Sequence, residues 1–242
     1  MLFSKTLALA MALAPTILFA APTPSRTIDS TADLSKRYLD PATVRKLEDG
    51  VCDLSGAVMP AAPTPLPPPS TGLTLGHVAI GRGTQNYTCA SNTAADVPKL
   101  QGANATLYNA TCYTVRSPSV LASIPAIALN HAVDLTNDVQ KYTVSGHHEF
   151  TAAGVPLFRL VTDKTNYGYV QGKSIANSTA PADSAKGDNG LGSVPWLKLN
   201  AVEGDYKEVY RLVTAGGVAP KTCDGQPDKF YVQYAAEYWF WK

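Results

Sequence analysis

Net charge is almost absent from this 242-residue chain, in which 20 Lys and Arg stand against 19 Asp and Glu. A balance of +1 creates no field that would gather nucleic acid or an anionic membrane surface, so neither is expected as a partner. Cysteine is scarce, at four residues, and no C-x-x-C spacing occurs. That removes the paired ligands of a structural zinc site, and no metal is expected. No G-x-S-x-G elbow is present, since Gly192-Ser193 leads into Val-Pro-Trp rather than a helix. No cofactor motif stands out, and no cofactor is expected. Beyond residue 20, no stretch approaches the roughly 20 apolar residues that a spanning helix needs. Long acidic or basic blocks and internal repeats are also missing.

What is present points outward from the cell. Lys5 gives a positive start, Thr6 to Phe19 is mostly apolar, and Ala20 and Ala21 are small residues suited to signal peptidase. Residues 1–20 therefore read as a secretory signal peptide. Residues 21–37 end in Lys36-Arg37, which reads equally as a kexin-type processing site closing a pro-segment or as a solvated pair. In an oxidising compartment Cys52, Cys89, Cys112 and Cys223 are expected to form two disulfides, with three connectivities open. Asn86, Asn104, Asn109 and Asn177 each open an Asn-x-Thr glycosylation pattern. A secreted, extracellular glycoprotein is expected.

Asp40-Pro41 and Gly50 bracket a short helix over residues 41–49. Residues 60–69 then hold six prolines, an extended polyproline strap that ends the segment 38–69. Over residues 70–242 the pattern changes to short strands separated by turn residues. Strands are expected over 73–80, 85–90, 105–115, 155–161, 167–171, 196–202 and 206–214. One or two aromatic strands follow over 230–241. In the Tyr206–Thr214 stretch, Val209, Arg211 and Val213 share one face, while Tyr210 and Leu212 share the other. The fold expected is a single all-β sandwich or barrel-like domain, with a helical insertion near residues 119–138 interrupted by Pro125. Residues 176–193 form a small-residue loop that reads as a mobile lid or a decorated surface.

Five blocks occur in a recognisable order: Thr74–Cys89 with its Gly81-Arg-Gly83, Gly146-His-His148, Val194-Pro-Trp-Leu-Lys-Leu199, Thr214–Cys223, and Val232–Phe240. Together they resemble a family of secreted fungal proteins built on a domain of unknown function, with shorter bacterial relatives, over roughly residues 66–241. The resemblance implies a β-rich secreted domain and carries no catalytic residues. It also implies the pairing Cys89–Cys223 and Cys52–Cys112. Members often bear the label malate dehydrogenase. This sequence gives that label no support, because Gly81-Arg-Gly83 is not followed by a third glycine, position 86 being Asn, or by a helix.

The richest chemical cluster is Gly146-His147-His148-Glu149, whose imidazoles and carboxylate suit metal ligation or acid–base work. On a strand His147 and His148 point to opposite faces, so a site would use His147 and Glu149 with a third group such as His77, His131 or Asp163. The bland alternative is one buried and one exposed histidine. The fungal relatives have Tyr where Glu149 stands, which weakens a catalytic role for that residue. Asp163, Asp205, Glu208 and Glu237 form no recognisable glycosidase pair and read as surface charges. Trp196, Trp239 and Trp241 are candidates for stacking on a sugar, against a core role for the same rings. The function expected is non-enzymatic binding of an extracellular protein or glycan, at a cell wall or host interface and with an effector role in view. A hydrolase or metalloenzyme using His147 and His148 is the alternative.

Overall fold

The structure is a computed structural model that describes residues 52–131 and 138–242; the signal peptide, the pro-segment and the helix expected at 41–49 lie outside the described residues. Eight strands form it: β1 (Leu75–Thr88), β2 (Lys99–Asn109), β3 (Val144–Phe150), β4 (Pro156–Val161), β5 (Asn166–Ser178), β6 (Trp196–Gly204), β7 (Glu208–Gly216) and β8 (Lys229–Trp241). Each pairs antiparallel with the next, and β8 returns to pair with β1, closing an up-and-down barrel. The barrel alternative within the expected fold class is therefore the one adopted.

Closure demands strong strand curvature, and the ladder supplies it through register shifts, including those at Asn86/Tyr87, Leu107/Tyr108 and Leu212/Ala215. The last of these sets Val213 at a φ of 45°, a region that β-branched residues avoid. The lumen is filled by side chains rather than left open: Phe158, Tyr206, Tyr234, Tyr238 and Phe240 interleave with Ala79, Ala103, Ala105 and Ala236. Small inward residues make room for large ones. At Gly81 a Cβ would lie 2.5 Å from the Tyr238 ring. Thus β1 runs straight through Gly81-Arg-Gly83, where a break was expected, because those glycines serve close packing and not a turn.

Two attachments clothe the outer wall. The connection from β2 to β3 contains α1 (Tyr113–Arg116), α2 (Pro118–Leu129) and α3 (Asp138–Thr143). Residues 113–115, expected as strand, are thus helical. Helix α2 continues through Pro125 and packs on β1, β7 and β8. The Pro-rich strap is the second attachment. Met59, Ala62 and Leu66 lie against an outer cluster with Trp196, Tyr210 and Trp239. Proline offers only a carbonyl, and two are used: Tyr210 Oη donates to Pro67 O and Lys198 Nζ to Pro68 O, both at 2.8 Å.

The disulfides are Cys52–Cys112 and Cys89–Cys223, the pairing implied by the resemblance. They close sequence separations of 60 and 134 residues, for which chain entropy alone gives about 4 and about 5 kcal/mol. Of the loop expected over 176–193, residues 176–178 belong to β5, and the rest is fastened to the segment at the end of β7, with Gly216 N–H donating to Ala185 O and Asn189 Nδ2 to Val218 O, each at 2.9 Å. Among the described residues, no helix is long and apolar enough to cross a membrane.

Candidate functional site

Strand β3 separates the two histidines as its pleat requires. His148 points into the lumen, 5% exposed, its ring stacked on Phe158 at a centroid distance of 4.1 Å. Its Nδ1–H donates to Leu157 O at 3.0 Å, which fixes the neutral tautomer. Burial pushes its pKa down to about 4. His147 stands exposed on the outer wall, and Glu149 beside it pairs with Arg159 at 3.4 Å. None of the third groups joins them. His77 is sealed inside, with Nε2 3.1 Å from Ser145 Oγ and Nδ1 3.1 Å from Thr111 Oγ1. His131 follows α2, and Asp163 lies in the β4–β5 turn. Among the described residues, no three His, Cys, Asp or Glu side chains gather closely enough to hold a metal ion.

Two carboxylates expected at the surface are buried instead, because the strap and α2 cover the strand faces that carry them. Glu208 forms an ion pair with Lys198 at 3.0 Å, both side chains 5% exposed, and accepts from Ser70 N–H and Ser70 Oγ. Burial pushes its pKa up, but the Ser70 and Lys198 donors outweigh that and hold it below the ordinary glutamate value. Glu237 is wholly buried on the outward face of β8, between Ile80 and Leu212 on the flanking strands. Its Oε2 accepts from Trp239 Nε1 at 2.8 Å, while Oε1 has no partner among the described residues. Burial raises its pKa to about 7.

The stacking candidates meet the same covering. Trp196 and Trp239 are 4% and 1% exposed, and Trp241 is half-buried against their cluster, so the rings are packed rather than presented to a sugar. Of the sequon residues, Asn104 and Asn177 are exposed and Asn86 is half-buried. Asn109 is buried, accepting from Thr111 N–H at 3.0 Å and Thr111 Oγ1 at 2.7 Å. A glycan on Asn109 would not fit this packing.

Concave surface collects elsewhere, around Arg82. This side chain projects from the outer face of β1, 9% exposed, and clasps the end of α2. Nε donates to Ala128 O at 2.7 Å and His131 O at 3.3 Å, and Nη2 to Leu129 O at 3.0 Å. Nη1 donates to Gly83 O at 3.0 Å and to Gln233 Oε1. Arg82 borders three recesses. One of about 250 Å³ lies between α2 and the barrel, lined by Ile80, Tyr108, Ile124 and Ala128 among others. One of about 470 Å³ opens toward His147 and Glu149, and one of about 520 Å³ toward Asp188 and Gln233. No sequence motif marks Arg82, because most of its acceptors are main-chain carbonyls, three of them 46 to 49 residues away at the end of α2, and its side-chain acceptor Gln233 is 151 residues away.

Comparison with known proteins adds one relationship. No curated protein and no solved structure matches the chain. The profile of a family described as a protein of unknown function, DUF3455, matches residues 69–242, which take in all eight strands of the barrel and leave out most of the strap. The chain belongs to the DUF3455 family.

Proposed function

We propose that this chain is a secreted fungal glycoprotein that works by binding a protein or glycan at a cell wall or host interface, in the manner of an effector, rather than by turning over a substrate. The observation that carries the reading is the divergence of the β3 side chains. His148 is held neutral in a filled lumen, while His147 stands outside, where Glu149 beside it is paired with Arg159 and, among the described residues, no three His, Cys, Asp or Glu gather. Export is supported by the apolar N-terminal run and by two disulfides, which persist in oxidising compartments.

The test uses protein secreted from a eukaryotic host, applied to glycan arrays and to fungal wall fractions, with turnover of polysaccharide, ester and peptide substrates measured in parallel. Retention on a glycan or wall fraction without turnover is expected. Turnover abolished by His147→Ala would overturn the reading in favour of a hydrolase or metalloenzyme.

A further inference from the structure

We propose that the recess between α2 and the outer wall of the barrel binds a small carboxylic acid with an apolar body. The inference names a ligand class for the binding role proposed above and rests on that reading. Ile80, Ala110, Ile124 and Ala128 give the recess apolar walls; Asn109, Tyr113, His131, Gln140 and Thr143 also border it, and two further polar groups, Arg82 and Tyr108, carry the argument.

Arg82 is a cation nine-tenths buried, yet its acceptors are neutral amide oxygens. Among the described residues, no carboxylate lies within ion-pair distance of it; the ion pairs there are Arg159–Glu149 and Lys198–Glu208. The exposed Asp188 faces it only from farther off, across the neighbouring recess. The carbonyl end of α2 offsets about half a unit of charge, so a positive remainder is left against the recess. A guanidinium has five N–H groups. The five bonds above engage four of them, which leaves one Nη2 hydrogen without an acceptor among the described residues.

Tyr108 is the second observation. Its hydroxyl oxygen borders this recess, is shut off from solvent, and has no hydrogen-bond partner among the described residues. A buried, unmatched donor is a cost that a ligand oxygen removes. One carboxylate, accepting from both Tyr108 Oη and Arg82 Nη2, would satisfy the two together, with its apolar portion against Ile124 and Ala128. The volume of about 250 Å³ equals roughly eight waters at ~30 Å³ each, space for a single ring with a short acidic arm. The recess of about 520 Å³, which shares Arg82 and His131, gives an approach from solvent.

Isothermal titration of the full secreted chain with trans-cinnamate, and with neutral cinnamamide as the matched control, tests the site. A dissociation constant of about 1 mM or tighter is expected for cinnamate, at least about tenfold tighter than for the amide. Tyr108→Phe should weaken cinnamate about five- to tenfold. Ala128→Phe should abolish binding by filling the recess, and Ile124→Trp does the same should the first variant misfold, with circular dichroism checking that the fold is kept. No heat with cinnamate, equal affinity for acid and amide, or unchanged affinity in a folded filling variant would each overturn the proposal. Loss of cinnamate binding with wall or glycan capture retained would remove this site and leave the binding reading standing.

Discussion

Glu237→Gln should change how stability depends on pH, and the structure sets both the sign and the size. Glu237 has its pKa raised from 4.5 to about 7 by burial. Between those values the unfolded chain has lost the proton while the folded one keeps it. Rising pH therefore removes stability across that window and no more above it. Over the full shift the loss is about 3 kcal/mol, and between pH 5 and pH 8 it is about 2.5 kcal/mol. His148 acts in the opposite sense. Its pKa falls from 6.5 to about 4 on burial, so the unfolded state holds the extra proton there and stability rises with pH over that range. In the wild type the two nearly cancel between pH 4.5 and 6.5. The amide introduced by Glu237→Gln does not ionise, so the variant exposes the rise due to His148, and its stability relative to wild type grows by about 2.5 kcal/mol from pH 5 to pH 8. Burying an amide in place of a carboxyl adds a fixed offset but no slope. Helix α2, which covers the site, carries no ionisable side chain that would confuse the reading. Urea unfolding followed by tryptophan fluorescence at several pH values measures the difference, since Trp239 donates directly to this carboxylate. A difference curve flat to within about 0.5 kcal/mol across that interval would refute the reasoning.

Three further outcomes are expected. Lys198→Met leaves Glu208 buried without its cation and should cost about 3–5 kcal/mol in urea unfolding, with most of that recovered by adding Glu208→Leu; full additivity of the two changes would argue against a coupled pair. His147→Ala should alter stability by less than about 0.5 kcal/mol, whereas His148→Ala removes a ring packed on Phe158 and should cost about 2–4 kcal/mol; equal effects would contradict the assigned faces. Glycopeptide mass spectrometry of the secreted protein should find glycan on Asn104 and Asn177 and none on Asn109, and a glycan on Asn109 in folded protein would contradict the packing around Thr111.

Alternation in the sequence revealed the barrel wall where the strands are regular. In β7, Val209 belongs to the lumen, while Tyr210 and Leu212 belong to the outer cluster. Val213 escapes the pattern because the Leu212/Ala215 register shift intervenes. Gly81 and Gly83 resemble turn residues to any local reading, and their real cause, the Tyr238 ring and the main chain at Asn104, lies in distant sequence. The opposed histidines followed from strand geometry alone. Burial of Glu208, Glu237, Trp196 and Trp239 did not, because outward barrel faces usually meet water, and here the strap and α2 cover them. Arg82 was hidden for a related reason: nothing in the sequence tells which carbonyls a helix end will bring to it.

Closure of the wall, with β8 paired along β1 from Leu75 to Thr88, limits how any partner would be recognised. An open sheet can capture an extended segment by adding a strand, reading mainly its main chain. Here every strand already has a hydrogen-bonded neighbour on both sides, although stretches such as Lys99–Asn104 of β2 pair on one side alone. Among the described residues no strand stands at the edge of a sheet, where strand exchange or edge-to-edge polymerisation would start. For the binding role proposed above, selectivity would reside in side chains and connections displayed on the curved exterior, which can vary while the hydrogen-bonded cylinder beneath them stays the same.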